Sequence, residues 1–438
     1  MSALETVGFP DAGGRGGALA HVYSRSPQVK GIIAVPGNDL MHLNVREGVR
    51  FERYPAKLVE ENARQIAELL RGKATMVDVC QDDIVKGGGV NFLREMGMPV
   101  VGPTKEAGRV EWDKPWSREF MRECGIPHPE FHTFHCEADG IAFIRAHEGR
   151  QWVIKAAGLA LGKGVYVTSN SQEAEDGVRA MKKFGSAGET YLIEERLVGE
   201  EFSTYAVSDG EFHKILGSAQ DHKPLLDNDE GPNTGGMGCG SSPLVLTPDI
   251  MTQVDVVLDK TFKGLAARGH PYTGVLYLGG MVVGGKVQVI EFNARWGDPE
   301  AQVVLPGLKT DLVDVSRAVI DRRIQELNLE FDNKVRIAIA LASRGYPESS
   351  TKGKEIFGID DARAQPGVTI YGAAVKRVDG HDYTDGGRLF YVVGEGSDVN
   401  YAREVAYGAM DRITVEDGAA QFRNDIGSRD VARLKKCS

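Results

Sequence analysis

The first hundred residues alternate short apolar segments with helical patterns, and this alternation limits the folds that the chain can adopt. Apolar runs at residues 31–35, 75–79 and 99–101 have the length of buried strands. Helical periodicity covers residues 56–70 and 88–96 between them. Strands that alternate with helices are typical of βαβ units, so the sequence predicts an α/β protein that begins with an open parallel sheet.

The chain length predicts several domains. With 438 residues it exceeds what one hydrophobic core normally supports, so we expect two to four domains. A helical pattern at 116–123 ends at Gly125-Ile126-Pro127, a stop signal near which a second domain begins. Fresh strand patterns follow Asp332. Between these points the patterns predict a helix at 248–267 and strands at 152–156, 165–168, 274–283 and 286–292.

Charge and cysteine content exclude several classes of protein. The net charge of -10 favours neither nucleic acid nor an anionic membrane as a partner. No apolar run is long enough to cross a bilayer, and the first residues lack a signal-peptide pattern, so we expect a cytoplasmic protein. Five widely spaced cysteines form no Cys-x-x-Cys pair and predict neither disulfides nor a thiolate zinc site. If a metal is used, carboxylates are the expected ligands.

Residues 220–243 form a glycine-rich polar stretch. Its charge density suggests a loop outside the core, and its glycines allow the backbone to approach a ligand. Asp221, His222, Lys223 and Asn233 offer donors and acceptors within it. The stretch therefore indicates a substrate-binding loop, and a flexible surface loop without function is the alternative.

A second glycine-rich segment, Gly13-Gly14-Arg15-Gly16-Gly17, precedes a helical pattern at 18–23. Backbone N–H groups at a helix N-terminus attract phosphate, and Arg15 would add a cation. The segment lacks the Gly-x-Gly-x-x-Gly spacing, so a glycine turn without a ligand explains it equally well.

The strand pattern at 287–293 carries a candidate metal site. A period of two places Glu291 and Asn293 on one face and Ile290 and Phe292 on the other. A carboxylate and an amide oxygen suit magnesium, which completes its coordination with water and nucleotide phosphates. A solvated strand face is the alternative, and the crowding of Arg295, Asp298 and Glu300 near the strand end argues against it.

Three lysines lie at strand or loop positions that could border the same cleft: Lys114, Lys155 and Lys163. Lys163 falls in the glycine-rich hairpin 158–164, which is one residue too short for a P-loop and is followed by a strand. Together with Glu291 the lysines would bind a polyphosphate beneath a closing hairpin. Taken singly, each of these residues is more often an ordinary surface lysine, which is the alternative interpretation.

Ten segments of the chain resemble the phosphoribosylamine–glycine ligase family of the ATP-grasp superfamily. The central ones are KAAGLALGKG, GPNTGGMG and EFNARWGDPE, which are long and specific. The likeness covers nearly the whole chain, at residues 36–38, 102–104, 155–164, 193–195, 220–223, 231–238, 291–300, 345–347, 386–388 and 422–427.

The resemblance implies a Rossmann-like N-terminal domain, a central ATP-grasp domain with a mobile lid, and a small C-terminal α/β domain. We place these at residues 1–105, 106–330 with a lid at about 130–198, and 331–438. The implied reaction uses ATP and magnesium or manganese to convert glycine into an acyl phosphate. The amine of 5-phosphoribosylamine then displaces phosphate to give glycinamide ribonucleotide. The implied partners are these small molecules only, in a monomer or weak homodimer.

The resemblance also assigns roles to matching residues. For ATP it implies Lys114, Lys155 and Lys163 at the phosphates, Glu194 and Leu197 at the adenine, and Glu201 at the ribose. For the metal it implies Glu291 and Asn293. Catalysis and positioning of glycine, acyl phosphate and amine fall to Lys163, Asp221, Asn233, Arg295 and Asp298. The phosphoribosyl group would lie beside Gly13, Gly14 and Asn38.

Departures from the family pattern concentrate at the end that selects the amine. Gly16 and Gly17 replace a usual Glu-His pair, Cys80-Gln81-Asp82-Asp83 replaces a usual Gly-Pro-Glu, and Ala157 replaces a lid aspartate. A diverged ligase for another amino acid or amine therefore stays open. A non-catalytic nucleotide-binding regulator is a second alternative, although the metal pair and Arg295 are retained. A dinucleotide oxidoreductase is disfavoured by the glycine spacing.

Overall fold

The structure, a computed structural model, describes residues 4–159 and 164–437. It confirms the mixed α/β architecture. The N-terminal part holds a parallel five-stranded sheet in the order β3-β2-β1-β4-β5. Its elements are β1 (Glu5–Asp11), α1 (Gly14–Arg25), β2 (Val29–Pro36), β3 (Arg50–Arg53), α2 (Ala63–Arg71), β4 (Met76–Asp78), α3 (Asp82–Lys86), α4 (Gly89–Glu95), β5 (Val100–Val101), α5 (Arg109–Trp112) and α6 (Lys114–Glu123).

Both faces of this parallel sheet are buried, as the apolar strand patterns predict. Phe9 and Ile32 pack with α1 in one core cluster, whereas Ile33 and Val77 pack with α2 in another. The prediction of helix from residue 56 is wrong, because α2 begins at Ala63. Ala56 and Leu58 pack against the core from an irregular segment. Their apolar side chains extended the helical pattern of the sequence beyond the true start of the helix.

A four-stranded antiparallel sheet follows in the order β6-β9-β7-β8. Trp152 and Ile193 anchor its own small core. The strand predicted at 152–156 is confirmed. Residues 160–163, which include Lys163, lie outside the described residues. The elements are β6 (Phe131–Phe134), α7 (Glu137–Ala146), β7 (Trp152–Ala156), β8 (Val165–Val167), α8 (Ser171–Ala180) and β9 (Tyr191–Glu195).

The central part contributes to a larger sheet of nine strands. Eight of them follow the order β16-β15-β10-β11-β14-β17-β22-β19, in which β17 (Val335–Ser343), β22 (Arg388–Gly396) and β19 (Val368–Gly372) come from the last hundred residues. The ninth, β24 (Ala420–Gln421), pairs with β17. The helix predicted at 248–267 is confirmed, with Thr247 capping its first turn through a bond from the Ile250 N–H. The central elements are β10 (Glu200–Asp209), β11 (His213–Asp221), β12 (Pro224–Leu226), β13 (Glu230–Asn233), β14 (Gly238–Ser241), α9 (Pro248–Ala267), β15 (Thr273–Val283), β16 (Lys286–Asn293), α10 (Ala301–Val304) and α11 (Leu312–Ile320).

The last hundred residues extend the same sheet. Strand β14 pairs with β17, so one continuous sheet contains strands from both sides of the predicted boundary at 330–331. Among the described residues, no helix is long and apolar enough to cross a membrane. The elements are β17 (Val335–Ser343), β18 (Glu355–Phe357), α12 (Ile359–Arg363), β19 (Val368–Gly372), β20 (Val375–Val378), β21 (His381–Thr384), β22 (Arg388–Gly396), α13 (Val399–Met410), β23 (Thr414–Val415), β24 (Ala420–Gln421) and α14 (Ser428–Cys437).

The reading of residues 220–243 as one loop is wrong. Most of the stretch is strand: it includes the end of β11, the β12–β13 hairpin and the buried strand β14. A Cβ on Gly238 would lie 2.4 Å from the Ala338 carbonyl oxygen, so glycine is required for close strand approach. Glycine at position 238 therefore serves the packing of the sheet.

A buried carboxyl group makes the stability of this fold depend on pH. The Tyr23 hydroxyl donates to Asp78 over 2.9 Å, and burial raises the pKa of Asp78 to about 6 from its usual 3.8. The folded state therefore binds this proton more tightly, and stability falls as pH rises between those values, by on the order of 3 kcal/mol. We expect the thermal midpoint of the wild type to fall as pH rises from 4 to 6, relative to the midpoint of Asp78→Asn measured at the same pH. A difference between the two midpoints that stays constant over this pH range would contradict the prediction.

Candidate active site

A β-bulge shapes the strand that carries the candidate metal ligands. Gly280 pairs with Val289 and Gly279 pairs with Glu291, which leaves Ile290 as the extra residue. The bulge changes the side-chain parity, so Val289 and Phe292 both face the core. The prediction that Ile290 shares a face with Phe292 is therefore wrong. Ile290 instead lines a small cavity together with Glu201, Asp221, Lys223 and Tyr277.

Glu291 lies among cations beside this cavity. The Lys223 ammonium is 3.5 Å from a Glu291 oxygen and 3.3 Å from a Glu201 oxygen. Burial opposes ionisation of Glu291, but Lys223, Lys155 and Lys114 outweigh it and lower its pKa to about 2. Glu291 is thus an ionised oxygen donor of the kind that magnesium prefers.

The donor set fits a metal that also binds phosphates. Within the described ranges, no group of three or more His, Cys, Asp or Glu side chains could hold a metal ion by itself. Glu291 and Asn293 therefore suit a cation that takes few protein ligands and completes its shell with water and phosphate oxygens. The Asn293 amide oxygen accepts from Arg295 over 3.1 Å, and its second lone pair is left for another partner.

Arg295 is held by a residue that the sequence analysis missed. Its guanidinium lies 2.8 Å from a Glu111 oxygen, while the other Glu111 oxygen accepts the Ala294 N–H over 2.8 Å. Burial raises the pKa of Glu111 to about 7, against the opposing effect of Arg295. Glu111 lies in a four-residue helix and belongs to no motif, so the sequence pattern did not identify it as a site residue. Asp82, from the segment that departs from the family pattern, approaches Arg295 to 4.0 Å.

Lys114 and Lys155 lie on the cleft side of this site. The Lys114 ammonium donates to the Gly158 carbonyl over 2.9 Å, at the base of the hairpin. The Lys155 ammonium is 2.7 Å from a Glu194 oxygen and 3.4 Å from the Ile290 carbonyl oxygen. Both lysines depress the pKa of Glu291, so the structure brings them together with it as predicted.

Glu194 is engaged by protein groups. Its side chain is 2% exposed, and Arg118 donates to both carboxylate oxygens over 2.6 and 2.8 Å. Burial opposes ionisation, but Arg118 and Lys155 lower the pKa of Glu194 to about 2. Any contact of this residue with adenine would therefore involve its backbone. Leu197 lies just after β9, in the segment that leads to Glu201 on β10.

The Arg118–Glu194 pair gives a stability prediction. Removing one partner of a buried ion pair typically costs about 3–5 kcal/mol, because the other charge is left without compensation. We expect Arg118→Met to lower the thermal midpoint strongly. Arg122→Met on the same helix is the matched control, because its side chain is 65% exposed. Equal midpoints for both variants would contradict the structural role of the pair.

Asp298 lies where the central and N-terminal parts meet. Gln302 donates to it over 3.0 Å, and Arg388, to which the sequence analysis assigned no role, approaches to 3.6 Å. Burial opposes ionisation of Asp298, but Arg388 and Arg15 lower its pKa. A Cβ on Gly13 would lie 2.7 Å from an Asp298 oxygen, so glycine permits this contact. Gly13 and Asp298, both predicted to bind substrate, are therefore neighbours in the structure.

The proposed anion position at the start of α1 is filled by a protein carboxylate. Helix α1 already begins at Gly14, so Gly16 and Gly17 lie inside it. Asp11 accepts the Gly13 N–H over 2.6 Å and the Gly16 N–H over 3.1 Å. Arg15 is paired with the same carboxylate over 2.7 Å. Arg15, predicted as an added cation for a phosphate, is therefore paired with a protein carboxylate in this structure.

Of the remaining predicted substrate residues, Asp221 lines the cavity, whereas Asn38 and Asn233 lie in a loop and a hairpin. The Asn38 amide donates to the carbonyls of Ala12 and Gly372 over 2.9 and 2.8 Å, so it holds the loop before Gly13 in place. Asp221 lines the cavity, and its pKa is raised well above normal by burial and then by the Glu300 charge. Asn233 is half-buried and pairs with Pro224 in the β12–β13 hairpin.

Comparison with known proteins agrees with this arrangement. Residues 8–111, 112–301 and 336–429 match the N, ATP-grasp (A) and C domains of phosphoribosylglycinamide synthetase. Phosphoribosylamine–glycine ligase of Ralstonia nicotianae is 37% identical over 96% of this chain and 98% of its own.

Solved structures give the same result. Phosphoribosylamine–glycine ligase from Thermotoga maritima superposes with a TM-score of 0.80 at 28% identity, over 96% of this chain and 100% of that one. A biotin carboxylase domain from Hydrogenobacter thermophilus, in complex with MgADP, shares the fold at 15% identity and a TM-score of 0.71, over 96% and 92% of the two chains. The matches cover nearly the whole chain, which therefore belongs to the phosphoribosylglycinamide synthetase family.

Proposed function

We propose that this chain is an ATP-dependent carbon–nitrogen ligase that forms glycinamide ribonucleotide from glycine and 5-phosphoribosylamine, a step of purine biosynthesis. The observation that carries the proposal is the family match along the three domains. The cluster of Glu291, Asn293, Arg295, Lys114 and Lys155 supports it, because it combines oxygen donors with cations for a polyphosphate.

The chemistry requires activation of a carboxylate. The glycine carboxylate attacks the γ-phosphoryl group of ATP and releases ADP, and the amine then attacks the resulting acyl phosphate and releases phosphate. Arg295 stabilises charge on the transferred phosphoryl group, and Asp298, with Asp221 and Asn233, positions the glycine and the amine. Lys114, Lys155 and Lys163 neutralise the ATP phosphates, with Lys163 acting from the lid at about 130–198.

Enzymes with this fold use ATP with a divalent metal, and we propose magnesium or manganese here. Bound to Glu291 and Asn293, the metal would neutralise phosphate charge. The nucleoside would lie beside Leu197, the backbone of Glu194, and Glu201, and the phosphoribosyl group beside Gly13, Gly14 and Asn38. Since the Asp11 carboxylate already accepts the Gly13 and Gly16 N–H groups, the phosphate of the amine substrate would contact groups other than these two amides. We also propose a cytoplasmic location, supported by free cysteines at 80, 124, 136 and 239.

A product assay tests the proposal. Purified protein would be incubated with ATP, magnesium and glycine, with or without 5-phosphoribosylamine, followed by mass analysis of the product. Formation of glycinamide ribonucleotide together with ADP supports the proposal. ADP release with a different amine from a panel would indicate a diverged ligase. Failure to release ADP with any amino acid would indicate a nucleotide-binding regulator.

A further inference from the structure

Lys223 occupies a central position that no role assigned above explains. Its backbone is fixed, because the Lys223 carbonyl accepts the Thr234 N–H over 2.8 Å and the Thr234 hydroxyl over 2.7 Å. From this anchor the side chain reaches across the cavity to Glu201 and Glu291, at 3.3 and 3.5 Å. One ammonium group is therefore paired with two carboxylates on different strands.

The two carboxylates have different ligands in the proposed function. Glu201, on β10, is assigned to the ribose of ATP, and Glu291, on β16, is assigned to the metal. Neither carboxylate can engage its ligand fully while the same ammonium lies between them. A divalent cation at Glu291 would also repel the ammonium, because like charges a few ångströms apart interact unfavourably.

We propose that Lys223 is an exchangeable counter-ion, which occupies the two carboxylates in the nucleotide-free enzyme and moves to the phosphates when the metal–nucleotide complex binds. This inference rests on the proposed function. In the free enzyme Lys223 is paired with both carboxylates and competes with the metal for Glu291, so the metal binds weakly without nucleotide. In the loaded enzyme the released ammonium adds to the positive charge around the phosphates.

The inference predicts two effects of opposite sign for Lys223→Met. Without nucleotide, Mn²⁺ should bind about twofold to fivefold more tightly, because the ammonium that competes with the metal for Glu291 is lost. The non-hydrolysable analogue AMPPNP with Mg²⁺ should bind about twofold to fivefold more weakly, because one cation that contacts the phosphates is lost. General damage to the site would weaken both.

The test uses the full chain. Electron paramagnetic resonance of free Mn²⁺ measures metal binding, and calorimetry measures binding of AMPPNP with Mg²⁺. Lys214→Met, on strand β11, which ends two residues before Lys223, is the control and should leave both affinities unchanged. Lys223→Gln serves as a second variant if Lys223→Met does not fold, and Lys223→Arg should restore wild-type behaviour in part.

Tighter Mn²⁺ binding together with weaker AMPPNP binding supports the exchange. Unchanged or weaker Mn²⁺ binding by both neutral variants overturns it, as does unchanged AMPPNP binding. Wild-type protein that binds no AMPPNP would instead contradict the proposed function. The two failures are therefore distinguishable.

Discussion

Glu291→Ala is expected to lower kcat by at least about a thousandfold, because a metal clamp on a transferred phosphoryl group supplies several kcal/mol of stabilisation in the transition state. Glu291 is ionised, with its pKa lowered to about 2 by Lys223, Lys155 and Lys114 against the effect of burial. Its loss would leave Asn293 as the one assigned metal ligand from the protein. Steady-state kinetics with ADP release as the readout measure the effect.

The matched control is Gln288→Ala, which lies on the same strand and is also half-buried. It should keep near-normal turnover and a normal thermal midpoint. Activity of Glu291→Ala close to wild type at saturating Mg²⁺ would show that this carboxylate does not hold the metal. A folded but inactive Glu291→Ala variant supports the assignment.

Arg295→Met is expected to lower kcat by about a hundredfold to a thousandfold, the range measured for removal of one preorganised donor to a developing charge. Glu111 and the Asn293 amide oxygen fix the Arg295 guanidinium at 2.8 and 3.1 Å, so the group needs little reorganisation during the reaction. Single-turnover kinetics with saturating ATP and glycine isolate this step.

Binding of AMPPNP distinguishes a catalytic role from a binding role. Arg295→Met should retain most of the nucleotide affinity while turnover is lost, since the lysines and Glu291 remain. Glu111→Gln keeps the size of the positioning side chain, and we expect an intermediate loss of kcat from it. A variant at Arg295 with a raised glycine KM and normal kcat would place the residue in ground-state binding only.

Strong local signals made much of the fold predictable. The helix at 248–267 has a proline at its start, a capping threonine and a sustained apolar stripe, and the structure has it at the same residues. The strand at 152–156 is also recovered with the same bounds. The parallel N-terminal sheet follows from βαβ alternation. These features depend on local sequence and on burial of both faces.

Features that depend on tertiary contacts were not predictable. The bulge at Ile290 arises from pairing with β15, and a period of two within one strand carries no information about it. The buried strand β14 appeared to be part of a loop, because its glycines pack against another strand, Val335–Ser343, that is distant in sequence. Sequence pattern alone cannot distinguish a glycine needed for packing from one needed for a ligand.

The candidate site was predictable in part for the same reason. Glu291 and Lys155 lie in recognisable motifs, Lys114 was assigned by its position alone, and the structure brings the three together. The pairing of Arg15 with Asp11 and the contact of Glu111 with Arg295 depend on side-chain directions that spacing does not specify. Lys223 was noted as a donor, but its position between two carboxylates required the fold.

The most direct test of the account is a crystal structure of the protein with AMPPNP and Mg²⁺. The account predicts the triphosphate beside Lys114 and Lys155, and a magnesium ion about 2.0–2.1 Å from oxygens of Glu291 and Asn293. A triphosphate bound elsewhere, or a magnesium ion that contacts neither residue, would contradict it.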